Sequence, residues 1–253
     1  MKKVLFILFA FSNTLLFANI AVVVPDTNEN GINYDETLSF EVFFKKTDTF
    51  LGKYIRNGNV DYTAIKAEYN SLKELVAFIA NADINSKDQD TKTAFYLNAY
   101  NLLVIKSVVD NLPLKSPLDV SGFFDSKKHA VAGSYLTLND LENKKLRSDA
   151  RVHFVLVCAA KGCPKIISEA YLPETMQIQL ETQTIKAINN DTFIKVDHET
   201  KTVEISQIFD WYKDDFISSS GSVINYINKY RINEIPTSYT ISYSTYDWNL
   251  NGK

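Results

Sequence analysis

The chain has 253 residues, 45% of them apolar, with 27 lysines and arginines against 30 aspartates and glutamates and a net charge of −3. That balance gives no electrostatic case for a nucleic-acid or anionic-membrane partner. Only two cysteines are present, which excludes a dense disulfide framework and leaves folding to an ordinary apolar core.

Residues 1–18 read as an export signal. Lys2 and Lys3 precede the apolar stretch Val4 to Phe11, and Leu15-Leu16-Phe17-Ala18 leads to a cleavage site after Ala18. The apolar run is short for a membrane span, so the processed chain is expected in the periplasm or medium with no membrane partner. Cleavage removes two lysines, leaving 25 basic against 30 acidic residues. Residues 19–34 carry Pro25, Asn28, Asn30 and Gly31 and read as a linker, with one domain over 35–253.

A helix is expected around Leu38, Val42, Phe43 and Leu51, followed by a turn at Asn57-Gly58-Asn59. Ala64 to Ala82, with Leu72, Leu75, Val76 and Ile79 at helical spacing, reads as a second helix. Thr91 to Val109, apolar almost all round, reads as a buried third. Asn98 and Asn101 lie three apart on one face of that helix, where buried amides need partners: they either orient a catalytic loop or bond the backbone of a neighbouring loop. Pro113 and Pro117 close the helical half.

Short β-prone runs follow. His129 to Ala132 and Tyr135 to Leu138 flank a two-residue turn at Gly133-Ser134. Asn139 to Arg147 reads as a short helix, with Thr137 and Asp140 or Asn139 and Glu142 as its cap. The apolar run Val152 to Cys158 reads as a central strand. Glu174 to Asn189 is helical, Phe193 to Val196 and Thr202 to Ile205 form a hairpin around His198, two helices follow near Ser206 to Phe216 and Ser222 to Tyr230, and Tyr239 to Tyr246 is a last strand. Helices and strands are segregated, which predicts an α+β fold with an N-terminal helical half packed on a mainly antiparallel sheet.

Chemistry concentrates near Cys163-Pro164. A residue before proline is pushed out of the helical region and proline suits the first helical position, so Cys163 is expected at a helix N-cap, where free amides would stabilise a thiolate. Alternatively, Cys158 and Cys163 pair as a small disulfide or are simply buried apolar side chains. A thiol nucleophile needs an imidazole and an orienting group, and His129 and His153 fill those roles, with Glu142 as an alternative orienter. On an extended strand His153 would lie about 16 Å from Cys158 and on the opposite face, which favours His129 as the base. His198, at a hairpin tip, is expected to be exposed and uninvolved. Arg147, Asp149 and Arg151 form either a carboxylate-binding cluster or a structural ion-pair network. Cys158 and Cys163 lack a second close ligand pair, and no phosphate loop or Gly-x-Ser-x-Gly turn occurs, so neither metal nor cofactor is expected.

Phe95-Tyr96-Leu97-Asn98-Ala99-Tyr100-Asn101, Leu138-Asn139-Asp140-Leu141-Glu142 within Gly133 to Arg147, Asp149 to His153, Cys163-Pro164 and Tyr246-Asp247-Trp248-Asn249-Leu250-Asn251 together resemble domain of unknown function 547 (DUF547). The likeness spans roughly Phe50 to Asn251, and departs at Ala150, where the family tends to have proline. It implies a domain of exported bacterial and plant proteins and carries over no activity. His129-Ala130-Val131-Ala132-Gly133 also looks like the histidine strand of papain-like cysteine peptidases, which implies a circularly permuted arrangement because the cysteine comes last here. Two functions are therefore expected in competition. One is a thiol hydrolase or acyltransferase acting on amide bonds of peptide or cell-wall material. The other is a non-catalytic binding or scaffold domain with a Cys158–Cys163 disulfide, in which Asn98, Asn101, Asp247 and Trp248 are buried anchors.

Overall fold

The computed structural model describes residues 39–253. The predicted export signal, linker and domain start lie outside the described residues. None of the described helices is long and apolar enough to cross a membrane.

Ser39 caps helix α1 (Phe40–Tyr54), whose Phe43, Phe44, Phe50 and Leu51 are buried. Its chain runs straight into a hairpin of β1 (Ile55–Arg56) and β2 (Asn59–Val60). Asn57 and Gly58 both take positive φ, 52° and 76°, as a two-residue hairpin turn requires. The helix expected over 64–82 is two helices, α2 (Tyr62–Ala67) and α3 (Asn70–Asn81). Between them Glu68 leaves the helical conformation, and its carboxylate bonds Lys53 and the Tyr54 hydroxyl of α1. Helix α4 (Gln89–Asn111) is buried on almost every side and packs against α2 and α3, as its uniform apolarity demands.

Strands β3 (His129–Val131) and β4 (Ser134–Leu136) pair antiparallel. Their turn is Ala132-Gly133, one residue earlier than the sequence suggests, with both residues at positive φ. The strain at Ala132 has a compensation: the Ala132 and Gly133 amides donate to the Ile79 and Ala80 carbonyls, satisfying the open end of α3. Thr137 and Asp140 form the expected capping box of α5 (Leu138–Leu141), which continues through a π-helical turn, Glu142–Leu146.

Residues 152–158 are not a strand. Asp149 caps a 3-10 turn, Ala150–Phe154, and an extended loop follows. An apolar run only says that a segment is buried, and here the burial is against α4 rather than within a sheet. Helix α6 (Met176–Ile188) leads to β5 (Ile194–Asp197) and β6 (Thr202–Ser206), an antiparallel pair. Helices α7 (Ile208–Trp211), α8 (Lys213–Ser220) and α9 (Val223–Tyr230) precede β7 (Thr240–Ser244), which joins β6 in parallel. The fold is α+β, with the β structure divided among two small hairpins and one three-stranded sheet.

The segment after β7 laces the two halves together. Lys161 and Gly162 amides donate to Asn249 and Asp247 carbonyls, and the Asn251 amide donates to Ala159. On its other side the Val60 amide donates to the Asn251 carbonyl, and the Tyr62 hydroxyl donates to Asn251 Oδ1 at 2.6 Å. Gly252 is required here, because a Cβ would meet the Val60 carbonyl oxygen at 2.0 Å.

Candidate functional site

Helix α4 positions the site through its two asparagines. Asn101 donates from Nδ2 to the Val155 carbonyl and accepts from the Val157 amide, both at 3.0 Å, so one buried side chain takes the place of a neighbouring strand for the loop leading to Cys158. Asn98 does the same for Tyr171, donating to its carbonyl at 2.7 Å and accepting from its amide at 3.0 Å. Both asparagines thus bond the backbone of neighbouring loops.

The loop so held ends in a disulfide between Cys158 and Cys163. Cys163 does not cap a helix: the next helix in the chain begins only at Met176, and the Cys163 sulfur accepts instead from the Cys158 amide at 2.9 Å. The Tyr246 hydroxyl lies 2.8 Å from Cys158 Sγ and 3.0 Å from Cys163 Sγ, so it bridges the two sulfurs.

A cavity of about 420 Å³ opens beside the disulfide. Its polar lining includes Glu142, His153, Asn139 and Asp125, and its rings are those of Tyr100, Phe124, Trp211, Tyr212, Tyr246 and Trp248. His153 thus shares one cavity with both cysteines. The strand over 152–158 on which the expected separation depended is absent, and a 3-10 turn carries His153 instead.

His153 is fully buried and its Nε2 lies 2.8 Å from Asp215 Oδ2. A carboxylate only accepts, so Nε2 carries the hydrogen and Nδ1 keeps its lone pair, 3.6 Å from Glu142 Oε1. Tyr212 stacks on the imidazole with centroids 3.7 Å apart, and Phe216 meets it edge-on. Burial pushes His153 down to about 4, against the opposing pull of Asp215, so the ring is neutral at physiological pH. Burial raises Glu142, with the Tyr212 hydroxyl and Arg147 opposing. Burial also works against ionisation of Asp215, but hydrogen bonds from Arg147 and His153 outweigh it and hold its carboxyl below the usual range. Arg147 donates from Nε to the same Asp215 oxygen at 2.6 Å and from its terminal nitrogen to Asn143.

The remaining predicted residues lie elsewhere. His129 lines neither cavity that borders Cys163. It faces Lys106, Asp110 and Lys127, and its half-buried ring is pushed down mainly by burial. Arg151 is taken up by Asp149, Gln177 and Glu181, which ties the 3-10 turn to α6. Asp247 is exposed rather than a buried anchor, and accepts from the Asn249 amide and side chain. His198 is exposed in its hairpin and bonds the Tyr239 hydroxyl. Among the described residues no three His, Cys, Asp or Glu side chains converge to hold a metal ion. Sequence reasoning missed Asp215, Tyr212 and Trp211, since Lys213-Asp214-Asp215 reads as a solvated helix face and nothing local marks one of the two aspartates as facing a histidine 62 positions away.

Residues 84–186 match the model of the family described as Protein of unknown function, DUF547. The match takes in Asn98, Asn101, Glu142, His153 and both cysteines, while the wall of the cavity made by Trp211, Tyr212, Tyr246 and Trp248 lies outside it. No curated protein and no solved structure matches the chain.

Proposed function

We propose that this DUF547-family chain is an exported binding domain whose aromatic cavity, beside the Cys158–Cys163 disulfide, takes a ligand without covalent chemistry. The observation that carries this reading is the disulfide: with its sulfur bonded to Cys158, Cys163 offers His153 no thiol to deprotonate. A disulfide also suits the oxidising compartment to which a leader such as residues 1–18 would deliver the chain. The cavity has the size and mixed lining of a small-ligand pocket, and peptide or cell-wall material is the class of partner such a compartment supplies.

A second reading, a thiol hydrolase or acyltransferase on amide bonds, is favoured by His153, itself hydrogen-bonded to Asp215, lining the same cavity as Cys163. In a reduced protein Cys163 would attack the carbonyl. His153 would take the thiol proton and pass it to the leaving amine, and Asp215 would fix the tautomer. Iodoacetamide labelling followed by mass spectrometry separates the two. The binding reading expects the protein purified without reductant to take no label. Labelling of Cys163 in that protein, with an inflection well below the free-thiol value of about 8.5 that is lost in His153→Ala, would replace it with the hydrolase reading.

A further inference from the structure

We infer that the aromatic cavity is a cage for an organic ammonium ion. The inference rests on the binding reading above and names the ligand class of that same site. Six aromatic rings line the cavity, and three of them form a compact cluster: Trp211 and Tyr246 have centroids 4.8 Å apart, Tyr246 and Trp248 4.8 Å, and Trp211 and Trp248 5.8 Å. Phe124 extends this wall, 6.3 Å from Trp248. A cation within about 6 Å of such ring faces is attracted by their quadrupoles, and several faces around one site add up to a preference for a charge that is large and weakly hydrated.

The charged groups point the same way. The ionisable residues of the lining besides its tyrosines are Asp125 at the exposed rim, Glu142 on the buried floor, neutral His153 and the paired cysteines; no lysine or arginine is among the described lining residues. Arg147, whose guanidinium lies 5.3 Å from the centroid of the Tyr212 ring that stacks on His153, is committed to Asp215 and Asn143, and among the described residues the Trp211, Tyr246 and Trp248 rings carry no cation. The lack of basic groups is particular to this side of the disulfide. Across Cys163 and Tyr246 a second cavity, of about 360 Å³, is lined by Lys161, Lys165 and Lys186. Glu142, only 6% exposed, is a carboxyl that is costly to ionise alone, and an ammonium ion beside it would remove that cost. Trp211, 43% exposed, keeps a ring in water at the mouth that a ligand would cover.

The test uses the chain's own reporters. Its two tryptophans are Trp211 and Trp248, so fluorescence excited selectively at tryptophan reads this cavity. Choline and its neutral isostere 3,3-dimethylbutan-1-ol, which differ in charge and not in shape, are titrated into the oxidised, full-length protein, with a chito-oligosaccharide as a third probe. The expected result is saturable quenching by choline at an affinity about tenfold or more above that of the alcohol. Asp125→Asn, at an exposed position that leaves folding untouched, is expected to narrow that ratio, and Trp248→Ala, with far-ultraviolet circular dichroism unchanged, to abolish choline binding. Equal affinity for choline and the alcohol, or binding of the oligosaccharide alone, would overturn the ammonium assignment and leave the cavity as a binding site. Failure of all three probes to bind would count against both the assignment and the binding reading.

Discussion

At His153 an imidazole and a guanidinium converge on a single carboxylate oxygen, Asp215 Oδ2, under the ring of Tyr212. This arrangement needs a neutral imidazole, and its burial has a consequence for acid stability. The native ring titrates near 4 and an unfolded one near 6.5, so in that window the unfolded chain binds a proton that the folded chain refuses. Stability from this residue is therefore fully present above about pH 6.5 and is lost as the pH falls towards 4, by about 3 kcal/mol in all. Urea denaturation at stepped pH measures it. Other carboxylates also weaken the fold in acid, so the quantity to compare is the slope of wild type against His153→Gln: the variant is expected to lose distinctly less stability between pH 6.5 and 4. Equal slopes would mean that the native ring is as free to protonate as the unfolded one.

Helix α4 acts on its surroundings through amides rather than through packing alone. Asn101 supplies both halves of a strand-like pairing to Val155 and Val157, so Asn101→Ala strands a buried carbonyl and a buried amide together. Each orphaned group costs about 1–3 kcal/mol, which makes this substitution far more damaging than removing an exposed asparagine such as Asn143 from the same domain. Chemical denaturation of the two variants checks the difference. The asparagines themselves were legible in the sequence as polar residues three apart on an apolar helix, and so were the amphipathic helices, the Asn57-Gly58 turn and the capping box at Thr137. What they bond to was not. A run such as Val152 to Val157 announces burial, and burial beside an Asn side chain has the same composition as burial inside a sheet. The separation expected between His153 and Cys158 rested on that strand, which the 3-10 turn replaces. The one local hint lay upstream in Asp149-Ala150-Arg151, where an aspartate can cap a tight turn, as it does here by accepting from the Arg151 amide.

Across the whole molecule the site is made by contacts that no local pattern records: Cys163 meets Tyr246 83 positions on, and Tyr62 meets Asn251 189 positions on. These contacts also decide how much the disulfide contributes. It joins residues five apart, so the chain entropy it removes from the unfolded state is small, about 2 kcal/mol. The loop it closes is independently fastened, on one side by Asn101 and on the other by amides donated from Lys161, Gly162 and Asn251 to and from the segment after β7. Replacing both cysteines by alanine is therefore expected to lower the denaturation midpoint by an amount equivalent to about 2 kcal/mol while leaving unfolding cooperative and its denaturant dependence unchanged. Equilibrium denaturation of the double variant measures this. A much larger loss, or a broad transition, would mean that the sulfur bridge and not the lacing holds the Cys158 loop against the closing segment. The distinction bears on function, because a loop that keeps its place without the disulfide keeps Tyr246 in both cavities, and a ligand site that depends on that ring would then survive reduction.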